Sequence, residues 1–174
     1  MKTAADQIEF LIHAGAHRKP HAHGRTLFEH LLGTRSLLAK WDASEEVRAA
    51  GLFHSVYGTD RYKVKLVADE ERDTIRGLIG ADAERLVFLF SNLRRPEAFI
   101  EADGVRDIDR NDFCALIEIE CANVIDQTPL SACDRRVAEN LSKGSARAEV
   151  FAAALRFCLP CRQEGGPCRR AACP

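Results

Sequence analysis

An excess of charge of either sign is lacking: 25 lysine and arginine residues stand against 26 aspartate and glutamate residues in a chain of 174. Without a broad basic field there is little to hold a phosphate backbone, which excludes nucleic acid as a partner. Long apolar runs are lacking too. No stretch approaches the roughly 20 apolar residues that cross a bilayer, and the opening "MKTAADQIEFLIHAGAH" has no apolar core of the signal-peptide kind. The chain is therefore expected to be soluble, cytoplasmic and without a membrane partner. Strict alternation of apolar and polar residues never persists, which argues against half-buried strands. Neither an internal repeat nor a low-complexity linker divides the sequence.

What is present is an apolar fraction of 46%, enough for one domain with a sizeable core. Apolar residues recur at three- and four-residue intervals, so the spacing predicts an all-α fold. Helices are expected over about residues 4–14 and 25–41, then behind the capping sequence "DASEE" as far as Tyr57 and Gly58. "DEERDTIRGLIG", "DAERLVFLFSNL", "NDFCALIEIECANVIDQ" and "SARAEVFAAALRFC" read as four more. Residues 1–157 form a single domain on this reading, followed by a cysteine-rich tail over 158–174. Cys114, Cys121 and Cys133 fall within helical patterns, as small hydrophobes do. Cys158, Cys161, Cys168 and Cys173 begin with a CxxC pair but match no common zinc-module spacing; a frayed terminus is the simpler reading.

Three apolar stripes carry polar residues. Leu27, His30, Leu31, Thr34 and Leu38 share one helix face, and so do Val47, Ala50, Gly51 and His54. Phe113, Leu116, Ile117, Glu120 and Val124 form a third, with Asn123 at its margin. Burying one polar group without a partner costs about 1–3 kcal/mol, and an unpaired carboxylate costs more. A lone inward histidine is ordinarily a hydrogen-bonded core residue. Two imidazoles and a carboxylate are satisfied together if they meet in one pocket, by bonding one another or by binding a cation.

"RTLFEHLLGTRSLLAKWDASEEVRAAGLFHSVYGTD" resembles the HD superfamily of metal-dependent phosphohydrolases, in which a histidine on one helix precedes a helix ending in a His-Asp pair. "LIGADAERLVFLFSNLRR" is similar to the next segment in the hydrolase domain of the bifunctional Rel and SpoT alarmone enzymes. The resemblance spans about residues 20–127 and is closest to a branch whose hallmark is "FHSVYGT" itself. It implies an HD-like helical bundle, with His30 as the first metal histidine and His54 as the histidine of the pair. Ser55 then takes the aspartate position, and Gly58 and Thr59 stand where the alarmone hydrolases have an acidic pair. The last aspartate of the family falls within "IEIECANVID", with Glu120 as its replacement and Glu118 and Asn123 as alternatives of register. Two histidines and one carboxylate imply a single divalent metal ion, manganese, iron or zinc.

Other groups suit a small anionic substrate. "YGTDRYKVKL" offers Tyr57, Thr59, Arg61, Tyr62, Lys63 and Lys65, a local positive cluster that is otherwise a solvated loop. Arg61 and Tyr57 join Glu120 as expected reaction-side groups; Arg25, Ser55, Thr59 and Asn123 are candidate substrate contacts, and the loop residues His21 and His23 are candidates either to contact substrate or to complete the metal shell. The expected function is hydrolysis of a small phosphorylated or nucleotide-like compound. The alternatives are an iron oxygenase of the same fold, or a module that has lost its metal and binds a small anion.

Overall fold

The computed structural model describes residues 1–95, 98 and 108–127. These form an all-α fold of six helices with no strand: α1 (Ala4–His13), α2 (Leu27–Lys40), α3 (Glu45–Phe53), α4 (Arg72–Ile79), α5 (Ala81–Asn92) and α6 (Arg110–Gln127). The helix expected over 145–158, the domain limit at 157, the tail cysteines and Cys133 lie outside the described residues.

Helix starts follow local chemistry. Thr3 and Asp6 close a capping box on α1, and Thr26 and Glu29 close another on α2, each satisfying two otherwise unpaired amides. The second box places the first turn of α2 so that Leu27, His30, Leu31, Thr34 and Leu38 are buried along one face. Ser44 caps α3 by accepting from the Val47 amide.

α3 ends at Phe53, four residues before the expected stop at Tyr57. The chain instead tightens: the Val56 amide donates to Phe53 O, and the Gly58 amide donates to Ser55 O. Gly58 adopts a φ of +73°, which side-chain-bearing residues rarely do. His54 is thus the cap of α3, and Ser55 starts a turn whose Val56 carbonyl accepts from the Leu66 and Val67 amides.

α2 packs on α3 and α6, and α3 also touches α5, so α3 is central. Leu27, Leu31, Leu38, Leu52, Phe53, Phe90, Leu116 and Ile117 are fully buried between these helices. Each such side chain contributes about 1.5–3 kcal/mol relative to exposure. Close approach needs glycine at two places: a methyl at Gly51 would collide with Leu38, and one at Gly33 with the carboxylate of Asp126. α6 is buried along most of its length, Glu118, Glu120 and Asn123 included.

Candidate functional site

His30 from α2 and His54 from the end of α3 converge, their rings edge to face with centroids 5.0 Å apart. Both are 1% exposed. Their Nε2 atoms stand 3.2 Å from one another. The other nitrogen of each ring is already committed: His54 Nδ1 donates to the Gly51 carbonyl at 2.7 Å, and His30 Nδ1 donates to Asp126 Oδ2 at 2.6 Å. Burial above all, helped by the neighbouring His30, holds the His54 imidazole well below its ordinary pKa. It is neutral, so with Nδ1 carrying the proton its Nε2 presents a lone pair to His30.

α6 supplies the third group. Asn123 Oδ1 lies 3.1 Å from His30 Nε2, and its orientation is fixed by Gln127 Nε2, which donates to it at 2.5 Å. Asn123 Nδ2 donates to Glu120 Oε2 at 3.0 Å, and the same oxygen accepts from Arg95 at 2.5 Å. Arg95, 3% exposed, also donates to Asp60 and stacks 4.0 Å from the centroid of Phe90, whose ring meets His54 edge-on. Arg25 donates to both oxygens of Asp126, at 2.9 and 3.3 Å, so that carboxylate is pinned between a guanidinium and an imidazole.

A cavity of about 310 Å³ opens beside this network, its walls including His21, Ser55, Thr59, Arg61, Arg95, Glu120 and Asn123. His21 stacks face to face on His30, with 4.3 Å between centroids and 8° between planes, and meets Tyr62 on another side. Burial first, then His30 and Arg25, hold the His21 imidazole down to about 4, so it is neutral at physiological pH.

The two histidines read from the sequence as inward-facing do meet, and of the three α6 residues weighed from the sequence, Glu118, Glu120 and Asn123, it is Asn123 that touches His30, beside Asp126. Glu120 reaches the imidazoles only through Asn123, although it also lines the cavity. Glu118 is buried but is not a cavity wall. Ser55, Thr59 and Arg61 line the cavity; Arg25 braces Asp126 instead. His23 is exposed at a φ of +58°, and its neighbour His21 takes the inner position. Tyr57 is turned elsewhere: its hydroxyl donates to buried Glu84, and burial and that carboxylate push its pKa far up. Tyr57, Lys63 and Lys65 line a second cavity of about 320 Å³, where Lys65 pairs with Asp69.

Arg95, Asp60, Asp126 and Gln127 escaped the sequence reading. Glu120, Asn123 and Gln127 recur at three- and four-residue spacing, a polar stripe on a buried helix that is legible once Asn123 is placed on the site rather than at its margin. Arg95 follows the end of α5, where periodicity has nothing to say.

Residues 10–95 match the family model of a domain of unknown function, DUF6817. That is just under half of the chain. No curated protein matches the chain, and no solved structure does. The DUF6817 match takes in His21, His30, His54, Ser55, Arg61 and Arg95, whereas the α6 residues Glu120, Asn123 and Asp126 lie beyond its end.

Proposed function

We propose that this is a cytosolic metal-dependent hydrolase, a divergent member of the HD superfamily, acting on a small phosphorylated compound. One observation carries the reading: His30 Nε2, His54 Nε2 and Asn123 Oδ1 gather within 3.2 Å of His30 Nε2 while both Nδ1 atoms are tied down behind them. With the Nδ1 protons directed away, three lone-pair atoms face one another and need a cation or a shared proton between them. Two bonds of about 2.0–2.1 Å at a tetrahedral angle separate ligand atoms by roughly 3.3 Å, so the imidazole pair fits a first-row transition ion. Metal-bound histidines ordinarily donate their far ring nitrogen to an acceptor behind them, and Asp126 and Gly51 provide those acceptors.

His30, His54 and Asn123 would hold the ion. When bound, it polarises a phosphoryl oxygen and activates water at neutral pH. The remaining work falls to the chain. Asp126 and Arg25 fix the His30 ring, Arg95 anchors Glu120 through one carboxylate oxygen, and Arg61 steadies negative charge at the cavity wall.

A second reading, a small-anion binder without metal, has one observation in its favour. A proton on His30 Nε2 closes the same hydrogen bonds, and no group of three or more His, Cys, Asp or Glu side chains among the described residues is arranged to hold a metal ion. Elemental analysis of protein purified without a histidine tag and exposed to manganese, iron and zinc separates the two. The hydrolase reading requires about one equivalent in the wild type, its loss in His54→Ala and its retention in Lys65→Ala. Metal that survives His54→Ala sits elsewhere, and no metal at all leaves the binder.

A further inference from the structure

The cavity walls hold polar atoms that the chain leaves without partners. Ser55 is 3% exposed, yet its hydroxyl makes no hydrogen bond among the described residues. Arg61 is anchored through Nε, which donates to the Arg95 carbonyl at 2.8 Å, and its two terminal amino groups are unused among the described residues. Glu120, also 3% exposed, spends Oε2 on Arg95 and Asn123 and keeps Oε1 free among the same residues. Arg61 is exposed and all three residues line the cavity, so these uncommitted atoms are the ones open to a ligand bound there.

Their chemistry is specific. The cavity has two guanidinium walls, and Arg95 is already neutralised by Glu120 and Asp60. Arg61 is therefore the cation left over among the described walls, with a free planar fork suited to a carboxylate or phosphate and a hydroxyl donor in the same cavity. Glu120 Oε1 is an acceptor only, and a second anion there would be repelled; it calls for a hydroxyl or amino hydrogen. A volume of about 310 Å³ lies at the small end of ligand pockets.

We infer that the ligand is a small compound bearing one oxyanion, bound by Arg61 and Ser55, and a hydroxyl or amino donor, bound by Glu120. This rests on the proposed function for its site and narrows its substrate class. It also accounts for the serine, since a neutral hydroxyl faces the substrate where a carboxylate would face a metal ion.

Isothermal titration with inorganic phosphate, glycerol and glycerol 3-phosphate tests it, on metal-loaded and on chelator-treated protein. Glycerol 3-phosphate should bind at least ten-fold more tightly than inorganic phosphate. Arg61→Ala should weaken both phosphate probes at least ten-fold and Ser55→Ala several-fold. Lys63→Ala, which removes an equal charge from the second cavity, should change neither. Glu120→Gln should abolish only the preference for glycerol 3-phosphate; the comparison of ligands on wild-type protein reads the same preference if that variant does not fold. Phosphate binding that is indifferent to Arg61, or no preference for the hydroxylated probe, overturns the inference. Arg61-dependent binding in protein that takes up no metal would retain it while removing the hydrolase reading, and metal uptake with Arg61-independent binding would do the reverse.

Discussion

Asn123 illustrates how much one atom changes at the scale of a residue. Its amide oxygen is a poorer ligand for a hard cation than a carboxylate, so Asn123→Asp should raise manganese affinity at least ten-fold, about 1.4 kcal/mol, read by titration of the chelator-treated protein. The new charge would stand beside Glu120 Oε2, now 3.0 Å from Asn123 Nδ2, so the metal-free variant should be less stable than wild type and regain stability with manganese. An unchanged manganese affinity would place Asn123 outside the ligand set. Arg95 acts differently. Arg95→Met leaves Glu120 buried and unpaired and should cost about 3–5 kcal/mol in urea denaturation, with part recovered in Arg95→Met/Glu120→Gln. A cost below about 1 kcal/mol would mean that the pair contributes no more than a surface ion pair.

Elements carry two further expectations. In α2, Gly33 lets the Asp126 carboxylate lie against the helix, and that carboxylate cannot swing aside because Arg25 and His30 hold it. Gly33→Ala should therefore destabilise by about 1–3 kcal/mol despite its better helix propensity. Gly77 in α4 faces open space, so Gly77→Ala should stabilise by roughly 0.5–1 kcal/mol. Thermal melts of the two variants moving in the same direction would contradict this contrast.

The junction of α4 and α5 is held by Glu84, which accepts from Arg72 at 2.6 and 2.9 Å and from Tyr57. Burial pushes the Glu84 carboxyl up, but the Arg72 hydrogen bonds and charge outweigh it and the pKa ends below 4.5. A carboxylate whose folded pKa is depressed contributes stability in full above its unfolded value. That contribution is lost as pH falls through the folded value. Stability measured between pH 6 and pH 3 should thus fall less steeply in Glu84→Gln than in wild type, from a lower starting point. Parallel curves would show that Glu84 is not part of the acid response.

Across the whole molecule, legibility in the sequence followed periodicity. The all-α fold, the Ser44 cap of α3 and the inward faces of His30 and His54 could be read because helical spacing and cap chemistry are local. The early end of α3 could not: "HSVYGT" reads as continuing helix until the φ of +73° at Gly58 and the return of Leu66 onto the Val56 carbonyl are known. The partners of the site were hidden for the same reason. Arg95 meets Glu120 across 25 residues and Arg25 meets Asp126 across 101, separations that no pattern in a single sequence ties together. Glu120 was expected among the ligands for its charge, yet Arg95 occupies one of its oxygens and Asn123 stands between it and the imidazoles.

X-ray absorption at the zinc edge of loaded protein is the decisive measurement for a metal held between α2 and α3, because it reads the ligands rather than the amount of metal. Two imidazole nitrogens at about 2.0–2.1 Å are expected in the wild type, with their signal lost in His54→Ala. A shell of sulfur at about 2.3 Å, placing zinc on cysteines, or a spectrum unaltered by His54→Ala, would contradict it.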